Sequence, residues 1–226
     1  MKLKRKQVMQ YLRPILAEKG YVEFKWDDGF FCKKIDDFFY LCMSPNIHRF
    51  YDDQFTVDLY LSNVIAVNLW YGDIPWDCCT RPGHLLSKEE KIRRYNSVIS
   101  DVWWSFFDEE ERNDFLEVLL IAESRIPERC PFLREKLEKS KDIKDVRSKI
   151  DCIIDMATNE SFDQDAAYRF IPERKGKTPE KWYYASEYYL TQCAHETKGL
   201  KFKVSRFANR AYSHYVMEHL NGSVHV

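Results

Sequence analysis

An α+β fold is predicted by three observations. The runs "YVEFKW", "FFCKKI" and "FFYLCMS" are short and β-rich, and turn chemistry separates them at Asp28-Gly29 and Asp36-Asp37. The run "FTVDLYLS", residues 55 to 62, alternates Phe55, Val57, Leu59 and Leu61 with Thr56, Asp58, Tyr60 and Ser62. From Ser87 the apolar period changes from two to about 3.6 residues. Strands that follow one another through tight turns pair antiparallel and leave a face for the helices that come after.

The elements follow in order. Residues 4 to 19 read as a helix with Val8, Leu12 and Ile15 or Leu16 on one side, kinked or entering its last turn at Pro14 and closed by Gly20. The antiparallel meander comes next, with "FTVDLYLS" as its fourth strand and "IAVNLWYG" at 65 to 72 as a fifth. In this reading Phe55, Val57, Leu59 and Leu61 pack under the later helices, whereas Thr56, Asp58, Tyr60 and Ser62 point away from them. Ser87 with Glu90 forms a capping box for one long helix carrying Ile92, Tyr95, Ile99, Val102, Trp103 and Phe106. Asp108 caps a second helix that ends near Pro127. Further helices are expected at 131 to 139, at 142 to 157 and, briefly, from Ser161.

The stretch "PERKGKTPE", 172 to 180, combines two prolines, a glycine and basic residues, the composition of a linker. The chain therefore divides into an α+β domain over 1–165 and a helical extension over 178–226, with the linker near 170–178. The extension is expected to hold a helix to about Lys198 and a last one from Ser205 to Leu220.

The order Leu12-x-Pro14-x-Leu16 with Gly20-Tyr21, an aromatic hairpin, "FTVDLYLS", Arg81-x-Gly83-x-Leu85 and the pair Trp103-Trp104 resembles a bacterial family of unknown function over about residues 4–130. The resemblance implies a helix-covered antiparallel sheet and supplies no catalytic residue. Residues beyond about 160 lie outside it.

Composition narrows the chemistry. A hydrophobic share of 45% supplies a core, and seven glycines leave little room for a phosphate-cradling loop. The formal charge of −1 argues against a surface devoted wholly to nucleic acid or membrane. The start "MKLKRKQVMQYLRP" has basic residues but no apolar run after them, and "VLLIA" at 118 to 122 falls far short of the roughly 18 residues of a span, so a cytoplasmic protein without a membrane partner is expected. Seven cysteines without C-x-x-C spacing argue against a disulfide framework. "CCTRPGH" fits no zinc spacing, and Cys193 and His195 face different sides of a helix, so neither metal nor cofactor is expected. The paired acids at 27-28, 36-37 and 52-53 sit at turns, where Asp bonds its own backbone.

Two surfaces remain as candidates. One is the outward sheet face, with Asp58 and Tyr60 joined by Asn68 and Trp70 of the next strand. The other follows from charge asymmetry: residues 100 to 165 hold eighteen acids and ten bases, net −8, whereas 174 to 210 hold nine bases and three acids, net +6. Within the basic part, Arg206, Arg210 and His214 recur at helical spacing, and Lys181, Tyr184, Tyr188, Lys201 and Lys203 can join them. Such a stripe either docks on the acidic helices or offers cations and rings to single-stranded nucleic acid or an acidic protein. With no nucleophile, metal or nucleotide pattern in evidence, the expectation is a non-enzymatic interaction protein of the immunity or antitoxin type, with a protein as its partner. The alternative is a hydrolase or binding protein that takes a phosphorylated or nucleic-acid substrate through the basic extension.

Overall fold

The computed structural model describes residues 2–24, 29–65, 78–99, 101–160, 180–192 and 200–219. Helix α1, Arg5–Glu18, buries Val8, Met9, Leu12 and Leu16 and carries Pro14 within it. It ends as expected at Gly20, whose φ of +80° suits a residue without Cβ. There the Gly20 N–H donates to the Ala17 carbonyl and the Tyr21 N–H to that of Leu16, the two reverse bonds of a Schellman cap.

The meander is formed by β1 (Val22–Phe24), β2 (Phe30–Lys34), β3 (Tyr40–Ile47) and β4 (Gln54–Ser62), each antiparallel to the next. The other edge of β4 takes two short strands, β5 (Cys79–Thr80) opposite Leu59 and Tyr60, and β6 (Trp104–Ser105) opposite Gln54 and Phe55. The strand expected at 65 to 72 lies almost wholly outside the described residues.

The register places Phe55, Val57, Leu59 and Leu61 on one sheet face, with Glu23, Leu41 and Met43. Helices α1 and α3 (Glu109–Lys139) cover it. Phe115 of α3 packs 4.8 Å from Phe55, Ile126 and Leu133 meet Leu41, Leu59 and Leu61, and Arg13 of α1 pairs with Glu23. The opposite face is not the wet surface that its polar residues suggest. Thr56 and Ser62 are fully buried and Tyr60 is 5% exposed, so the sheet is buried on both faces.

Two helical expectations need correction. The long helix from Ser87 is only α2, Lys88–Tyr95: the capping box forms, but Asn96 adopts φ 50° and its N–H closes the helix on the Ile92 carbonyl. The chain then returns as β6, so the 3.6-residue spacing beyond Asn96 is coincidental. Conversely, Pro127 does not end α3 and no new helix begins at Pro131, because α3 runs unbroken through both. Both prolines are exposed, so carbonyls left without their N–H partners can turn to water.

Helix α4, Lys141–Thr158, starts at Ser140 and buries Ile143, Val146, Ile150 and Ile153 as the sequence predicts. It packs mainly on α5 (Glu180–Gln192) and α6 (Leu200–His219). Helix α6 starts at Leu200, ahead of the Ser205 start expected from the sequence. Helix α6 reaches back to the sheet, with His214 5.4 Å from the Tyr40 ring and Glu218 3.5 Å from Lys34. The proposed linker and the short helix from Ser161 lie outside the described residues.

Candidate protein-binding surface

The exposed chemistry gathers where the β3–β4 hairpin turns. His48 closes the hairpin by donating its N–H to the Gln54 carbonyl at 2.9 Å. Its Nδ1 accepts the backbone N–H groups of Phe50 and Tyr51, at 3.1 and 3.2 Å. That nitrogen must therefore carry the lone pair, which puts the proton of a neutral ring on Nε2. The tip is thus held by an imidazole while its rings stand in solvent, Phe50 at 78% and Tyr51 at 59% exposure. Among the described residues these are two of the eight exposed large hydrophobic side chains, and they are adjacent.

Trp103, just before β6, joins this tip to the body of the molecule. Its ring meets His48 edge to face at 4.6 Å, and the Arg81 guanidinium lies 4.7 Å from its centroid. Arg81 Nε donates to Asp58 at 2.9 Å and another of its nitrogens to Asp101, while Asn46 donates to the second Asp58 oxygen at 2.8 Å. The Trp103 indole donates to Asp101 at 3.0 Å, and His84 Nε2 approaches the other Asp101 oxygen at 3.4 Å. Burial opposes ionisation of Asp101, but His84 and Arg81 outweigh it and hold its carboxyl below the usual aspartate value. Asp58 therefore fixes Arg81, and Arg81 fixes Trp103.

Trp103 also lines an open cleft of about 410 Å³ between α2 and the first turns of α3. Tyr95, Ile99 and Val102 form its apolar wall. Asp114 accepts from Arg94, Tyr95 and the Trp104 indole at 2.6, 2.6 and 2.8 Å, so it serves structure. Glu110 and Glu111 stand at the rim.

Burial pushes the Cys78 thiol up to about 11 and that of Cys79 up to about 12, which leaves both protonated at neutral pH. No group of three or more His, Cys, Asp or Glu among the described residues is arranged to hold a metal. No described helix is long and apolar enough to cross a membrane.

The residues singled out from the sequence fall differently. Asp58 is half-buried in the network above, and Tyr60, on the same face, is buried, which raises its hydroxyl pKa. Asn68 and Trp70 lie outside the described residues. Arg206, Arg210 and His214 do form one stripe of α6, but it points inward, with exposures of 4%, 0% and 2%. Tyr184 is buried, Lys181 half-buried and Tyr188 exposed; Lys201 and Lys203 fall in α6, with side chains outside the description. The reason is packing: Ala185, Ser186, Ala208, Ala211 and Ser213 are all fully buried, and such small side chains let α6 be enclosed nearly all round. Those small residues were a legible signal that the stripe is internal. Nothing in the sequence distinguishes His48, Phe50 and Tyr51 from ordinary loop residues, since their grouping depends on the hairpin and on Trp103 arriving from 50 residues away.

Comparisons with protein-family models, with curated proteins and with solved structures give no match.

Proposed function

We propose that this chain is a non-enzymatic interaction protein of the immunity or antitoxin type, engaging a protein target through the β3–β4 hairpin tip and Trp103. One observation carries the reading: Phe50 and Tyr51 are exposed rings on backbone held by the His48 imidazole. Aromatic anchors on a preorganised backbone lose little entropy on binding and dominate interface energies. An ordinary surface leaves such rings scattered, whereas here they adjoin a third ring that a charged network locks in place. Binding without turnover is what an immunity or antitoxin protein requires, and a cytoplasmic location suits that role. The nucleic-acid alternative relied on Arg206, Arg210 and His214, whose burial withholds them from a phosphate backbone.

The test is affinity purification from the cells that make the protein, comparing wild type with Phe50→Ala/Tyr51→Ala. A partner recovered stoichiometrically with wild type and lost with the variant supports the reading, provided both proteins melt at the same temperature. A partner retained by the variant contradicts it.

A further inference from the structure

We infer that the cleft beside Trp103 receives a basic segment of the protein partner, one that sets apolar side chains on Tyr95, Ile99 and Trp103 and a lysine or arginine at the acidic rim. This deepens the reading given under Proposed function and rests on it. The cleft is continuous with the hairpin-tip patch, because Trp103 belongs to both: it meets His48 at 4.6 Å on one side and lines the cleft on the other. At about 410 Å³ the space suits a few side chains, within the range typical of ligand sites.

Charge selects the occupant. Arg94, the one cation among the described residues that line the cleft, lies 2.6 Å from Asp114 and 3.1 Å from Glu117, so two carboxylates already neutralise it. The Glu111 carboxylate at the rim accepts the Ser105 N–H at 2.5 Å. The Glu110 carboxylate, also exposed there, is engaged by no described residue. The groove is thus apolar in its wall and net negative at its edge. An acidic segment would place like charges together, and a wholly apolar one would leave Glu110 and Glu111 uncompensated beside it. A segment alternating cations with apolar residues complements both features.

The probe is the peptide acetyl-Lys-Leu-Lys-Leu-Lys-Leu-Lys-amide, with the corresponding Glu-Leu peptide as control, titrated into the isotope-labelled full chain at low salt. The indole N–H resonances of Trp103 and Trp104 report the cleft, since the first is tied to Asp101 and the second to Asp114. The expected result is saturable movement of the Trp103 resonance with the basic peptide, none with the acidic one, and binding weakened roughly tenfold or more in Glu110→Lys. Glu110 is exposed but sits in the first turn of α3, where a lysine opposes the helix dipole, so binding is compared at a temperature at which both proteins are fully folded. The inference is overturned if neither peptide binds, if both bind equally, if Glu110→Lys binds the basic peptide as wild type does, or if the chain fills the cleft with its own copy and sediments as a dimer. The two readings fail separately. If the cellular partner is lost with Phe50→Ala/Tyr51→Ala but retained by Glu110→Lys, the protein-binding reading stands and the basic segment falls.

Discussion

Leu59 and Asp58 are neighbours on one strand and answer to different physics. Leu59 is 1% exposed under α3, so Leu59→Asp buries an unpaired carboxylate and is expected to unfold the protein. Asp58 faces the other way and holds Arg81 at 2.9 Å, with its side chain 18% exposed. Asp58→Ala leaves Arg81 only Asp101 and frees Asn46, a loss of about 1–3 kcal/mol. It should also loosen Trp103, which Arg81 stacks upon. Thermal melts order the variants as wild type, then Asp58→Ala, then Leu59→Asp. A Leu59→Asp protein as stable as Asp58→Ala would contradict the burial of the first face. At this scale the alternation of "FTVDLYLS" was legible in the sequence. The burial of its polar half was not, because Arg81, Asp101 and α6 reach it from positions that no local pattern connects.

Elements show where periodicity informs and where it misleads. Helix α4 was readable because Ser140 caps it and four aliphatic residues keep one face throughout. The apolar spacing from Ile92 to Phe106 was equally regular, yet the helix stops at Asn96, where a single left-handed residue outweighs the pattern. Asn96→Gly should therefore leave stability nearly unchanged. Asn96→Val should cost about 1–2 kcal/mol, since a β-branched residue resists φ near +50°. Equal denaturation midpoints for the two variants would argue that the helix continues. The capping box has a second use: Glu90 also pairs with Arg125 at 2.7 Å, and that guanidinium, with the Ser87 N–H, holds its carboxyl down to about 2. The link ties α2 to α3, so one wall of the cleft is fixed to the other.

At the scale of the whole molecule, the C-terminal helices are joined to the sheet through α6, and His214 lies at that contact. It is 2% exposed, packs on Tyr40, and its ring nitrogens have no hydrogen-bond partner among the described residues. Burial first, then the nearby charges of Arg147, His219 and Lys34, pushes its pKa down to about 3. The folded value lies below that of an unfolded histidine, near 6.5, so the unfolded chain takes up the proton first. Stability is complete above about pH 6.5 and falls as the pH drops toward 3, by at most about 1.4 kcal/mol per pH unit for one site. Chemical denaturation between pH 7 and 4.5, above the range where Glu90 titrates, should show this slope in wild type and a shallower one in His214→Leu. Identical slopes would mean that His214 is protonated, or exposed, in the folded protein.

Site-specific photo-crosslinking tests the central claim, recognition by the hairpin tip, most directly. A photoreactive phenylalanine analogue at position 50 is compared with the same analogue at position 132, where Phe132 is 68% exposed on α3 and, among the described residues, belongs to no cluster of exposed rings. In the cells that make the protein, position 50 should give one discrete adduct with another protein, and position 132 none. An adduct from position 132 with none from position 50 would contradict the account.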